Sequence, residues 1–138
     1  MERTNFEKLR VYKLAEDLAD GIWQIVRNWD YLARDTVGKQ MIKAADSIGA
    51  NIAEGTGRGT FEDNRRFIRM ARGSLYETQH WLRRAYKRSL LNKQQIAILK
   101  PIIGELSPKV NAYFRSVNKA ALEQRKQSTK NKAQSSRA

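Results

Sequence analysis

The chain of 138 residues contains no cysteine. No disulfide framework and no thiolate metal site can be built from it, and a cytoplasmic setting is the expectation. Proline is scarce, with only Pro101 and Pro108, so no proline breaks a helix earlier in the chain. His80 is the one histidine, and no Ser/His/Asp constellation can be assembled around it. No apolar run approaches the roughly 20 residues a membrane span needs. Residues 1–13 are charged and lack the apolar stretch of a secretory leader. Alternating, strand-like patterns are also missing. These absences leave a non-enzymatic, all-α protein with no metal, no cofactor and no membrane partner as the expectation.

Helical periodicity is what fills the chain. Apolar residues recur at intervals of three and four. A first helix is expected over residues 5–28, with Phe6, Leu9, Tyr12, Ala15, Ala19, Ile22 and Val26 as its stripe. A second is expected over 36–54, where Val37, Met41, Ala44, Ala45, Ile48 and Ile52 share one face. Its alanines would let a neighbour approach closely, and Gly55 and Gly57 would end it. Thr60, three residues before Asp63, is a candidate N-cap for a third helix over 61–89. The inner face of that helix would hold Phe67, Ala71, Ser74, Leu75, Thr78, Trp81, Leu82 and Ala85. A fourth carries Ile96, Leu99, Ile102 or Ile103, Leu106, Val110, Tyr113 or Phe114, and Val117, and Pro101 and Pro108 should kink it. Four amphipathic helices with short links predict an antiparallel up-down four-helix bundle over residues 1–119. Residues 120–138 have almost no apolar content and are expected to form a disordered basic tail.

Charge is the second feature present in excess. Lysine and arginine number 27 against 14 acids, a net charge of +13. The last nineteen residues hold five cations against Glu123, so they account for +4 and the bundle keeps +9. A compact domain this basic seeks a polyanion or an acidic protein. Between Asn64 and Lys93 nine basic residues, Lys93 included, face a single acid, Glu77. Arg65, Arg69, Arg72, Tyr76, Arg83 and Lys87 fall within about 80° of one another on a helical wheel, expected opposite the apolar stripe, and Arg66, Arg84 and Arg88 flank them. The planar guanidinium suits phosphate oxygens, and Tyr76 is placed to stack on an exposed base.

A run of charge on a helix is commonly only a solvated face. Solvated helices, however, mix signs at i and i+4, and this one does not. Such like-charge neighbours need an offset, from a polyanion or from acids on a neighbouring helix, for which Glu7, Glu16, Asp17 and Asp20 of the first helix are candidates. The nine residues named are therefore the candidate nucleic-acid-binding set. The alternative is a protein-interaction scaffold whose basic face docks an acidic partner. Glu54 and Asp63 flank the segment 55–59, but Glu54 and Arg58, four apart, are expected to pair across the helix end. The segment Gly55-Thr56-Gly57-Arg58-Gly59 lacks a preceding strand and a Gly-Lys-Ser/Thr ending, so it is no phosphate loop.

Three stretches resemble a known family: Phe6-Glu7-Lys8-Leu9-Arg10-Val11-Tyr12, the segment from Gln40 to Arg58 with Ser47-Ile48-x-x-Asn51-Ile52-Ala53-Glu54-Gly55-x-Gly57-Arg58, and Ala71-Arg72-Gly73-Ser74-Leu75-Tyr76-Glu77. Together they are similar to the bacterial four-helix-bundle proteins encoded in intervening sequences of large-subunit ribosomal RNA. That family includes the accessory variability determinant of diversity-generating retroelements. The resemblance covers roughly residues 6–90. It implies a ring-shaped homopentamer, no catalysis, and an accessory role around nucleic acid, RNA ahead of DNA, with a reverse transcriptase as a further partner.

Overall fold

A computed structural model describes residues 9–137, with Arg137 described by its backbone alone. Four helices follow one another. Helix α1 is Arg10–Val26. Helix α2 covers residues 31–56 as Tyr31–Ala33, a π-helical turn Arg34–Gly38, and Lys39–Thr56. Helix α3 is Phe61–Lys87 and α4 is Lys93–Arg137. No strand occurs among the described residues. The start of the first expected helix, with Phe6 in its stripe, lies outside the described residues.

Each helix packs on the two beside it in sequence, α4 closing the circle onto α1. Neighbours run antiparallel: Gly49 lies against Tyr12 and Ala15, whereas Gly38, a few turns earlier in α2, lies against Val26 at the far end of α1. Leu18, Ile22, Met41, Ile48, Ile52, Ile68, Leu75 and Leu106 are fully buried at the centre. Truncating one such side chain to alanine costs about 2–5 kcal/mol. The expected face of α2 is buried throughout. In α1 the stripe is rotated: Val11, Leu14, Leu18 and Ile25 are core, whereas Tyr12 and Ala19 are only half-buried at the edge facing α2.

Helix α2 begins earlier than its apolar pattern predicts. The Asp30 carboxylate caps it by accepting from the Ala33 N–H at 3.2 Å. The π-helical turn adds one residue and breaks the 3.6-residue phase, so Tyr31 and Leu32 stay exposed while Val37 is buried. Gly38 ends that turn, where a Cβ would stand 2.6 Å from Val26 Cγ1. Gly55 has a packing role too. It sits inside the helix with an ordinary negative φ, and a Cβ there would stand 2.6 Å from Asn64 Oδ1 and 2.9 Å from Phe67 Cβ. Its missing side chain brings the start of α3 onto α2. Thr60 caps α3 as expected, its hydroxyl accepting from the Asp63 N–H at 3.1 Å. At the other end Ser89 adopts φ 60° and Leu90 N–H donates to the Ala85 carbonyl at 2.9 Å. That closes α3 with a left-handed cap.

Helix α4 differs from expectation in two ways. It continues through Pro101 and Pro108. Seven residues apart, both prolines lie on the outer, exposed face, so the carbonyls they free can be satisfied by water. The tail expected to be disordered from residue 120 is instead helical through Arg137. Ala121 is still buried, and Arg125 reaches Glu62 of α3 at 3.0 Å. The residues beyond are mostly tolerable helix formers, and extending a formed helix avoids the nucleation cost.

On the side of the bundle away from α3 and α4, Glu16 and Asp20 of α1 meet Asp46 of α2 along a groove floored by Ala15, Ala45 and Gly49. Desolvation there, and then the charge of Asp20, raise the Asp46 carboxyl above its ordinary 3.8. The fold thus favours the protonated acid, and that contribution is full below pH 3.8 and lost as pH rises through the raised value. Asp46→Asn should therefore raise Tm near pH 7 and leave it unchanged near pH 3. Gly55→Ala should lower stability by about 1–2 kcal/mol in urea unfolding, because crowding outweighs the better helix propensity of alanine. A gain would show that α2 and α3 are not in close contact there.

Candidate nucleic-acid interface

Helix α3 carries the arginines, and its neighbours decide what each can do. The stripe lies beside the buried face rather than opposite it, so α4 covers part of it. Arg65 is the clearest case, with its side chain only 16% exposed. It pairs with Glu62 on its own helix and donates from Nη1 to Asn118 Oδ1 of α4 at 3.0 Å. Glu62 also receives Arg125. Desolvation pushes the Glu62 carboxyl up, but hydrogen bonds and charge from Arg65 and then Arg125 outweigh it and hold the group below its usual range.

Two more arginines spread over an aromatic ring. Arg72 lies 4.6 Å and Arg69 5.6 Å from the centre of Phe114 on α4. At the start of α3, Arg66 and Arg58 each stand 4.9 Å from the Phe67 ring. Arg66 also meets Asp63 at 3.7 Å. The expected pair between Glu54 and Arg58 forms. The first half of α3 is therefore a seam of arginines laid on α4 and on aromatic rings.

The second half of α3 is different. Among the described residues, Arg83, Arg84, Lys87 and Arg88 have no carboxylate partner. The one nearby acid, Glu77, instead accepts from Trp81 Nε1 at 3.4 Å. The acids of α1 offer no offset, because α1 and α3 sit diagonally across the core. Tyr76 is 53% exposed in the middle of the helix, with no hydrogen bond among the described residues. Beside Arg83 an apolar groove of about 640 Å³ runs between α3 and α4, lined by Leu82, Tyr86, Leu91, Ile96 and Ile103 and rimmed by Lys100.

The nine expected residues thus divide in two. Arg65, Arg69 and Arg72 hold the seam, with Arg66 exposed over Phe67 of its own helix, while Arg83, Lys87 and Arg88 project from the end of the helix beside half-buried Arg84, with Tyr76 between the groups. Sequence reasoning missed Tyr86, Lys100 and Arg125. The first two had a signal, since an aromatic at the end of one helix faces the start of the next. Arg125 had none, because its contact with Glu62 depends on α4 continuing.

Other candidate chemistry is thin. His80 is exposed and stands edge-on to Trp81, ring centres 4.9 Å apart. Among the described residues no group of three or more His, Cys, Asp or Glu could hold a metal ion. No helix there is long and apolar enough to cross a membrane.

Four antiparallel helices with an unbalanced cationic surface on the third define a basic four-helix-bundle protein. The family model described as 23S rRNA-intervening sequence protein matches residues 7–112. The chain belongs to that family. Comparison with curated proteins gives no match.

The two arginine groups should separate in mutagenesis. Arg65→Gln removes the largely covered donor to Asn118 Oδ1 of α4, while Glu62 keeps Arg125, and should lower stability by about 1 kcal/mol in urea unfolding. Arg83→Gln should change stability by less than about 0.5 kcal/mol. Equal effects would mean that the contacts of Arg65 with α4 contribute nothing.

Proposed function

We propose that this protein is a non-enzymatic, homo-oligomeric nucleic-acid-binding accessory protein, with RNA preferred to DNA. The observation that carries the reading is the group Arg83, Arg84, Lys87 and Arg88, four cations on one helix end without a carboxylate among the described residues. Like charges at such spacing destabilise a helix unless an external anion offsets them. The name of the family supports an RNA context.

In this reading the exposed cations contact phosphates and Tyr76 stacks on an unpaired base. Arg65, Arg66, Arg69 and Arg72 present the helix, and Arg69, the most open of the three nearest α4, adds a contact. Binding is backbone-directed and not sequence-specific, since cations on phosphates carry no base information. Repetition of the site in a ring, the homopentamer implied by the resemblance, multiplies a weak contact through avidity. A reverse transcriptase is the protein partner this reading would add.

Binding to an RNA hairpin, titrated at several salt concentrations, tests the reading. Each phosphate contact contributes about 0.9 to the slope of log affinity against log salt. Replacing Arg83, Lys87 and Arg88 by glutamine should reduce that slope by about two to three and leave Tm unaltered. An unchanged slope removes these residues from the interface and favours an acidic protein on this face. Light scattering of the same samples tests the pentamer, and co-purification with a reverse transcriptase tests that partner.

A further inference from the structure

The C-terminal third of α4 is an arm. After Ala121 and Arg125 no described side chain is buried, and none forms a hydrogen bond or ion pair with α1, α2 or α3, although Ser128, Thr129 and Lys132 border an open cleft beside Thr60 and Glu62. About twelve residues continue past the end of the bundle, roughly 18 Å of helix. Nothing apolar lies along them to suit another helix. Their side-chain hydrogen bonds are internal, Gln127 Nε2 to Asn131 Oδ1, Thr129 to the Arg125 carbonyl and Ser136 to the Lys132 carbonyl. The arm is nucleated by α4 but has no tertiary packing to hold its end, so it gains from any partner that fixes it.

Its charges are arranged. Arg115, Lys119, Lys126 and Lys130 all lie on the outer face of α4, away from buried Val117, within about 60° at 3.6 residues per turn. All four are exposed, and among the described residues none has an ion-pair partner. They form a line of about 22 Å with steps of four and seven residues. Glu123, at the edge of the line, is the one carboxylate between Arg115 and Arg137. The last aromatic residue is Phe114, so the arm can touch phosphates but cannot stack on bases.

We propose that this face of α4 is a second binding surface, a rod that lies across the phosphate backbone of double-helical nucleic acid. A double helix presents phosphates at fixed positions, and a straight row of cations meets them without ordering them first. A single strand must be ordered to match, which costs conformational entropy, and the arm offers no ring to compensate. The anion relieves repulsion between Arg115 and Lys119 and between Lys126 and Lys130, each four residues apart. The arm deepens the nucleic-acid reading above and rests on it.

The test uses the full chain and compares Lys119, Lys126 and Lys130→Gln with the Arg83, Lys87 and Arg88→Gln variant. Probes are a duplex RNA, a duplex DNA and a single strand of equal charge, each titrated over salt, with trypsin cleavage of the arm followed in parallel. The lysine variant should lose about tenfold or more in affinity for both duplexes at low salt, and its slope should fall by about two to three. Its affinity for the single strand should change less. Both duplexes should protect the arm from trypsin in the unaltered protein. Unchanged duplex affinity in the lysine variant, with loss in the α3 variant, overturns the arm and leaves the α3 site standing. A loss confined to the single strand overturns the assignment to a duplex. Failure of the unaltered protein to bind any probe removes the nucleic-acid reading, and the arm with it.

Discussion

Two helices approach only as closely as the side chains between them permit, and α2 meets its neighbours with very little side chain. Ala45 and Gly49 face α1, and Gly55 faces α3. With α2 close to both, the rotation of α3 is set by Asn64 and Phe67 lying where a Cβ on residue 55 would be. Every arginine on α3 inherits its direction from that contact. Rotation by one position would lift Arg65 and Arg72 off α4 and carry Ile68 out of the core. The glycine-rich segment therefore acts through packing, with no part in phosphate chemistry.

The seam between α3 and α4 shows how a basic helix can be stable without acids. Guanidinium groups spread over Phe67 and Phe114, where they keep hydration on one face and gain contact on the other. Glu62 ties Arg65 and Arg125 together at the point where α4 leaves the bundle. Of the two pairs, that of Arg125 is exposed and contributes little by itself. Their value is positional, since they hold the seam and leave the far end of α3 open.

Much of the fold was legible in the sequence because burial repeats with the helix. The face of α2 was read residue by residue, and Leu99, Leu106, Val110 and Val117 identified the buried side of α4. In α1 the apolar pattern is slanted against the buried face: Tyr12 and Ala19 fall at its edge, whereas Leu14 and Leu18 lie at its centre. The early start of α2 was hidden by the π-helical turn, which shifts the phase that reveals a helix. The helical tail was hidden because composition reports whether a segment can build a core. It does not report whether a helix already begun will continue. The nine candidate residues were legible as one stripe, yet sequence alone could not divide them. The division depends on Asn118 and Phe114, about fifty residues away along the chain.

Acids balance the cations of α1 and α2, whereas cations far outnumber acids on α3 and α4 across the core. The bundle is thus electrically polar across its width, with a separation of charge comparable to its diameter. In the field of a large anion such a molecule experiences a torque before any contact is made. It turns its arginine side forward during approach, so fewer collisions arrive with the wrong face. Added salt shortens the distance over which this turning acts.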